Sequence, residues 1–79
     1  MKITLFGMAK ELVGQPEIYL EDTSGIKQVK DVKARLKKEY PAFEKLPTMA
    51  IAVNVNFAQD DDPVTDQDEV VVIPPVSGG

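Results

Sequence analysis

The first residues of the chain alternate between polar and apolar side chains, which predicts a strand. Ile3 and Leu5 fall on one face of this extended segment. Residues 17–20 resume the same composition and predict a second strand. Residues 8–13 lie between the two, and they predict a one-turn helix or an ordered loop, because so short a helical segment is not stable alone. The opening of the chain is therefore predicted to be two strands joined by a short connection.

The best-defined element is a helix predicted over residues 28–40. Its apolar residues recur at helical spacing and form a single stripe, made by Val29, Val32, Leu36 and Tyr40. Lysines take the opposite side, and Asp31 and Arg35 have the spacing of an i, i+4 ion pair. Pro41 ends the helix, because the residue before a proline is pushed out of the α region. The pattern predicts an amphipathic helix that lies across one face of a sheet.

The second half of the chain predicts three further strands. Residues 49–53 form a compact apolar run, the strongest candidate for a central strand. Residues 54–56 predict a turn into a short strand at residues 57–58. Residues 69–73 are continuous in β-branched residues, which predicts a last strand that is buried on both faces. The order β, β, α, β, short β, β predicts an α+β domain with a mixed sheet of four to five strands packed on one long helix.

The aromatic residues are predicted to belong to the core: Phe6, Tyr19, Tyr40, Phe43 and Phe57. Phe43 and Leu46 are predicted to fold back over the end of the helix, with Pro47 closing that link. For Phe6 and Phe57 the alternative is a partner interface at an edge strand. This alternative matters because the chain offers few other candidates for a binding surface.

Composition and charge exclude several classes of function. At 79 residues the chain predicts one domain over residues 1–79, without repeats or linkers. It has no cysteine and no histidine, which excludes zinc–thiolate sites and removes the commonest general base. The net charge of −4 argues against nucleic acid and anionic membranes as partners. No apolar run reaches the roughly 20 residues that span a bilayer and no signal peptide is apparent, so a cytoplasmic location is expected.

The charged side chains are predicted to be solvated. The acidic residues between positions 60 and 69 lack the spacing and the central glycine of an EF-hand, so no metal site is predicted there. They predict a solvated loop, with docking to basic residues of a partner as a secondary role. The lysines of residues 28–40 predict a solvated helix face. None of these charged side chains is therefore predicted to carry the reactive chemistry of the chain.

The chain ends in a stretch with almost no side chains, Pro74-Pro75-Val76-Ser77-Gly78-Gly79. The two prolines hold the backbone extended at φ of about −65° and project a flexible tail over residues 74–79. The two glycines lack Cβ atoms, so this tail fits a narrow channel in a partner. The α-carboxylate of Gly79 is then the reactive group. A merely frayed terminus is the alternative.

Four stretches in order resemble the ubiquitin-like β-grasp sulfur carriers, and most closely the MoaD-type small subunits of molybdopterin synthase. They are residues 3–14, 29–41, 51–54 and 66–79. The last is the most specific, since it combines an acidic turn, an apolar strand, Pro-Pro-Val, one small residue and Gly-Gly. Four positions depart from the family pattern: Gly7, Lys10, Gln28 and Gln67. None of them lies in the tail, so they bear on local stability more than on function.

The resemblance implies a reaction cycle at Gly79. An ATP-dependent adenylating enzyme of the ubiquitin-activating type would form an acyl-adenylate there, and a sulfur donor would displace AMP to leave a thiocarboxylate (1-thioglycine). Residues 74–79 would insert into the large catalytic subunit of molybdopterin synthase, within a heterotetramer, and pass sulfur to cyclic pyranopterin monophosphate. Catalysis would reside in the large subunit, and this chain would bind no cofactor of its own.

Three alternatives stay open at this point. The chain is a sulfur carrier for another product, such as the thiazole of thiamin, although those tails generally lack the Pro-Pro-Val lead. It is a ubiquitin-like modifier that is conjugated to protein lysines through Gly79. Or it is a plain β-grasp interaction module in which the tail is incidental.

Overall fold

The structure, a computed structural model, describes residues 1–46 and 48–74. Its strands are β1 (Lys2–Leu5), β2 (Glu17–Tyr19), β3 (Ala50–Val53), β4 (Asn56–Ala58) and β5 (Val70–Ile73). Its helices are α1 (Gly7–Val13) and α2 (Val29–Glu39), and a 3₁₀ turn follows over Pro41–Lys45. The strands form one mixed sheet in the order β2-β1-β5-β3-β4. The prediction of an α+β domain with a long helix and a mixed sheet is confirmed.

The central strand of the sheet is β5. It pairs in parallel with β1 and antiparallel with β3. Residues 49–53, the strongest candidate for a central strand, supply β3, which is an inner strand paired on both sides, although the middle position of the sheet belongs to β5 and β4 forms the edge. A parallel pair needs a long crossover, and the chain between β1 and β5 includes α2 and supplies one.

One face of the sheet carries the core, and the opposite face is called the open face below. Strands and helices contribute to a single apolar cluster, whose central members are Ile3, Leu5, Ala9, Val29, Val32, Leu36, Ile51, Val70 and Val72. In β5, Val70 and Val72 are buried, whereas Val71 and Ile73 are half-buried. The prediction that this strand is buried on both faces is wrong, because the helices cover only one face.

The α2 helix follows its predicted pattern closely. Val29, Val32 and Leu36 are fully buried, and the predicted ends, Gln28 and Tyr40, are the two cap residues. Beyond the helix, the rings of Tyr40 and Phe43 meet edge to face, with centroids 6.2 Å apart. Phe43 and Leu46 are buried as predicted, whereas Pro47 lies outside the described residues.

The α1 helix is longer than the predicted single turn. It spans seven residues and ends at Gly14, whose φ of 84° is left-handed and whose N–H donates to the Lys10 carbonyl oxygen at 2.7 Å. Ala9 is fully buried, and Leu12 and Val13 pack against the core. Tertiary packing therefore stabilises a helix that is too short to form by local propensity.

The acidic loop caps the N-terminus of α2 with its main chain. The N–H groups of Val29 and Lys30 donate to the carbonyl oxygens of Asp62 and Asp60, each at 3.0 Å. A helix leaves its first four N–H groups without intrahelical partners, so these two bonds satisfy half of them. The loop at residues 60–62 thus has a structural role that its side chains do not reveal.

Side chains add two ion pairs between the same elements. The Lys33 Nζ lies 2.6 Å from an Asp60 carboxylate oxygen, and the Lys30 Nζ lies 3.6 Å from one of Asp61. The lysine face and the acidic loop, predicted to be solvated, remain partly or largely exposed but neutralise each other. Exposed pairs of this kind add little to the free energy of unfolding, so the main-chain bonds are the stronger constraint.

The predicted Asp31–Arg35 pair is wrong. The Asp31 carboxylate accepts the backbone N–H groups of Lys27 and Gln28, at 3.1 and 3.0 Å. Arg35 pairs with Glu39 and donates to two carbonyl oxygens of the connection between β2 and α2. A carboxylate in the first turn is better used on unpaired N–H groups, where the helix dipole also favours it, than on a cation one turn later.

The β3–β4 turn contains two residues with left-handed backbone, Asn54 at φ 51° and Val55 at φ 65°. Two-residue hairpin turns of this kind need positive φ at both central positions. Asparagine tolerates that conformation, but a β-branched residue loses about 1–2 kcal/mol there. The later turn at residues 65–68 has no such cost, because Gln67 is not left-handed.

None of the helices in residues 1–46 and 48–74 is long and apolar enough to cross a bilayer.

Two hydrogen-bonded carboxylates predict acid sensitivity of the fold. The backbone N–H groups of Lys27 and Gln28 lower the pKa of Asp31 below its ordinary value of 3.8. The Asn54 side chain and the Thr65 N–H lower the pKa of Asp68 in the same way. A lowered folded-state pKa stabilises the fold above the unfolded-state pKa, and this contribution is lost as pH falls through the folded value.

We therefore expect a melting temperature that is nearly constant between about pH 7 and 5 and falls below about pH 4. Asp31→Asn and Asp68→Asn should each lower the melting temperature at pH 7. The melting temperature of each variant should then decrease less steeply in acid than that of the unmodified chain. Glu11→Gln is the control, because within the described residues Glu11 has no hydrogen bond or ion pair through its side chain. Thermal unfolding followed by circular dichroism between pH 2 and 7 makes the measurement, and an unchanged acid slope in both variants would contradict the assignment.

Candidate functional site

The strand β5 leads directly into the predicted reactive tail. Ile73 ends the strand and Pro74, half-buried, follows it. The remaining predicted site residues lie outside the described residues: Pro75, Val76, Ser77, Gly78 and Gly79. The structure therefore defines the site by what holds the base of the tail and by the surface beside it.

The base of the tail lies against the beginning of α1. A Cβ atom added to Gly7 would lie 3.5 Å from the Pro74 Cγ, so the proline ring sits directly over this glycine. Gly7 has a φ of 52°, a left-handed value that favours glycine. Its departure from the family pattern thus has a backbone reason, and β1 ends just before it, at Leu5. The chain therefore leaves the sheet beside the start of α1.

The open face of the sheet lies next to this exit. Strand pairing places Thr4 beside Val71, Val71 beside Ala52, and Ala52 beside Phe57. These four residues form a row across four strands of the open face. A second row at the exit end pairs Ile73 with Ala50. The open face is therefore mostly apolar near its middle and at the tail.

Phe6 and Phe57 contradict the prediction that they belong to the core. Phe57 is 74% exposed, and Phe6 is 55% exposed. Phe6 follows β1 with extended backbone, so strand alternation places it on the open face, opposite to the buried Leu5. The alternative given for both residues, an interface with a partner, agrees with their exposure, because exposed apolar surface of this kind marks interaction sites.

Other exposed large hydrophobics in the described part of the chain are Met8, Tyr19 and Val55. Tyr19 was also predicted to be core, and it is exposed because it lies on the open face, beside Lys2, with which it is paired in the sheet. Sequence pattern does not separate such residues from core residues, since an aromatic side chain in a strand carries the same signal on either face. Val55 has a distinct signal, a β-branched residue after asparagine in a tight turn.

Charge is distributed unevenly between the two sides of the domain. Six of the nine lysine and arginine residues lie on or just before α2: Lys27, Lys30, Lys33, Arg35, Lys37 and Lys38. On the open face, Lys2 pairs with Glu17 at 3.0 Å near the β2 edge, and the hydrogen bond to Glu17 raises the pKa of Lys2. The lysines and arginines therefore concentrate on the helix side, where Asp60 and Asp61 pair with two of them, and the open face presents apolar surface with charges near one edge.

A cleft lies between the β2–α2 connection and α2, where Asp31 and Arg35 line it. Both side chains already have structural partners, the unpaired N–H groups of the helix start and the loop carbonyl oxygens. Within residues 1–46 and 48–74 no three acidic side chains converge where a metal ion would bind.

Known proteins resemble this chain over its full length. The ThiS family model matches residues 3–79. The chain is 34% identical to the molybdopterin synthase sulfur carrier subunit of Arabidopsis thaliana, over all of this chain and 82% of that protein. The expected resemblance is confirmed over the full length.

Solved structures share the fold. The crystal structure of SAMP1 from Haloferax volcanii has a TM-score of 0.82 at 25% identity, covering 99% of this chain and 97% of that one. In Helicobacter pylori, a complex of subunits 1 and 2 of molybdopterin-converting factor contains a chain with a TM-score of 0.66 at 24% identity, covering 99% and 96%. The ubiquitin-like β-grasp fold is thereby confirmed. The chain belongs to the ThiS family, and over its full length it is similar to molybdopterin synthase sulfur carrier subunits.

Proposed function

We propose that this chain is a sulfur carrier subunit of molybdopterin synthase and delivers sulfur from its C-terminal Gly79. The observation that carries the proposal is full-length similarity to carrier subunits of that enzyme, with the family match extending through Gly78 and Gly79.

The chemistry begins with activation, because a carboxylate oxygen is a poor leaving group. An ATP-dependent adenylating enzyme joins the Gly79 carboxylate to AMP and releases pyrophosphate. A sulfur donor then displaces AMP and leaves a thiocarboxylate. This sulfur attacks a carbon of the cyclic pyranopterin acceptor and displaces an oxygen substituent from it. Water then cleaves the bond between the sulfur and the Gly79 acyl group, which leaves the sulfur on the acceptor and regenerates the carboxylate. The adenylate and the thioglycine are covalent states of the tail, and the chain needs no resident cofactor for them.

The folded domain contributes to this chemistry by holding the base of the tail in place. The tail continues from a strand that is hydrogen-bonded on both sides, and Pro74 packs over Gly7 at its base. A fixed base reduces the entropy lost when the tail enters a partner. Pro75 prolongs the stiff segment through its restricted φ, and Val76, Ser77 and Gly78 are slim enough for a narrow channel.

The partner that receives the tail is the large catalytic subunit, and the open face is its docking surface. Phe57 and Phe6 expose apolar area on the same side of the sheet as Ile73, whose successor Pro74 begins the tail. Exposed aromatic side chains that become buried on binding commonly dominate the binding free energy. Two carriers and two large subunits form the heterotetramer, and the adenylating enzyme is a second partner for the same tail.

A second function, as a protein modifier, is favoured by one specific observation. The backbone superposes well on that of SAMP1, a small archaeal modifier protein. A modifier uses the same activated Gly79 carboxyl group but transfers it to a lysine amine. The two functions therefore differ in the nucleophile and not in the fold of the carrier.

The expected test result is a mass change at Gly79. With ATP, the adenylating enzyme and a sulfur donor, intact-mass analysis should show one oxygen replaced by sulfur. The sulfur should be lost only when the large subunit and the pterin precursor are both present. Lysine-linked adducts would instead support the modifier function, and no thiocarboxylate under any condition would exclude both sulfur-carrier proposals.

Deletion of Gly79 provides the matched control for that measurement. The deletion removes the reactive group without touching the core, so thiocarboxylate formation should stop while the melting temperature stays nearly constant. A large loss of stability would show instead that the tail is part of the folded structure.

The docking role of the open face predicts a separation of stability from binding. Phe57→Thr keeps a strand-forming residue at an exposed position, so the free energy of unfolding should change by no more than about 0.5 kcal/mol. Its dissociation constant for the large subunit should rise about ten-fold or more, because apolar area is no longer buried. Lys37→Gln, on the helix side, is the control and should bind like the unmodified chain. Calorimetric titration distinguishes the two, and equal affinities for both variants would remove the open face from the interface.

A further inference from the structure

The β3–β4 turn holds a valine where both the backbone and the solvent disfavour it. Val55 has a φ of 65° and is 84% exposed, the highest value among the exposed large hydrophobics of the described residues. Glycine is the residue that meets such a turn without steric cost. Val55 therefore combines two unfavourable features, a left-handed β-branched backbone and an apolar side chain in water.

The neighbouring left-handed residue is explained by the fold, and Val55 is not. The Asn54 side chain donates to an Asp68 carboxylate oxygen and accepts the Glu69 N–H, each at 2.9 Å. These bonds tie the turn to the segment that precedes β5. Val55 has no corresponding role, since it does not belong to the core or to the residues packed against it in the described structure. Strain without an internal compensation points to a role outside the free domain.

The position of Val55 connects it to the open face. Phe57, two residues later, lies on that face beside Ala52, and it is itself 74% exposed. Because β3 runs antiparallel to β5 and Val53 pairs with Val70, the turn lies at the end of the sheet opposite to Pro74. At about 3.3 Å per residue, the turn is roughly 15 Å along the strands from the exit of the tail.

An interface of ordinary size spans the distance between the exit of the tail and the β3–β4 turn. A standard interface buries about 800 Å² on each partner, which corresponds to a patch roughly 28 Å across. A subunit that receives the tail at one end of the open face and covers Phe57, on the edge strand β4, is therefore large enough to reach the turn. Strand register carries the open face from Ile73 and Val71 to Phe57, and Val55 precedes Phe57 by two residues.

We propose that Val55 is a contact residue for the large subunit that receives the tail, at the margin of the interface farthest from Gly79. In the free carrier, valine makes the turn less stable than glycine would. In the complex, docking buries the apolar side chain of Val55, and this burial favours valine over glycine. The inference rests on the proposed function, because that function supplies the partner.

Two substitutions at this position separate the backbone from the side chain. Val55→Gly removes the left-handed strain and the apolar group together, so the melting temperature should rise while the dissociation constant for the large subunit rises about five- to ten-fold. Val55→Thr keeps the β-branched shape and the strain, so the melting temperature should stay constant while the dissociation constant still rises several-fold. A purely structural role would not produce opposite effects on stability and binding.

Asp22→Gly is the matched control. Asp22 also has a left-handed φ, 50°, and is exposed. It lies on the helix side, where its carbonyl oxygen accepts a hydrogen bond from Arg35. Removing its positive-φ strain should leave the affinity for the large subunit unchanged, so any loss of affinity in Val55→Gly is assigned to the missing valine.

Thermal unfolding and calorimetric titration with the purified large subunit give both quantities for each variant. The predicted pattern is higher stability with weaker binding for Val55→Gly, and weaker binding alone for Val55→Thr. Unchanged affinity in both variants overturns this inference and leaves the proposed function in place. Failure of the unmodified chain to bind the large subunit overturns both, and a lower melting temperature for Val55→Gly overturns the assignment of strain.

Discussion

The rest of the structure depends on the position of β5 at the centre of the sheet. Hydrogen bonds to β1 and β3 hold it on both sides, and Val70 and Val72 are fully buried in the core. Each buried valine side chain stabilises the fold by about 1.5–3 kcal/mol. Because the same strand runs directly into Pro74, the interactions that fold the domain also fix the base of the tail. The strand that contributes most directly to the stability of the domain is therefore also the strand that positions the base of the tail.

The asymmetry between the two sides of the sheet follows from how little chain is available. The helices cover one face, and the carbonyl oxygens of residues 60–62 cap the N-terminus of α2 there. The helix lysines and the acidic loop neutralise each other on that side. The other face has no covering element within the described residues and keeps Phe6 and Phe57 exposed. The domain thus folds around one face of its sheet and leaves the other face exposed.

Periodicity alone predicts much of this fold, and its failures have physical reasons. The apolar stripe of α2 is predicted correctly because its apolar residues recur every three or four positions among polar ones. In β5 all residues are apolar, so alternation of burial has no sequence signal. The capping by residues 60–62 uses main-chain oxygens, which every residue carries. The length of α1 depends on packing of Ala9. For the site, Pro74 and its contact are described, whereas the assignments from Pro75 to Gly79 rest on sequence and similarity and stay predictions.

We propose that the tail and the open face form one binding surface and that the helix side does not participate in binding. Amide chemical shifts of the isotope-labelled carrier, recorded during titration with the large subunit, test this most directly. We expect the changes to concentrate at Thr4, Phe57, Val71 and the tail, with residues 30–38 of α2 nearly unaffected. Changes concentrated on the outer side of α2, with the open face unaffected, would contradict it.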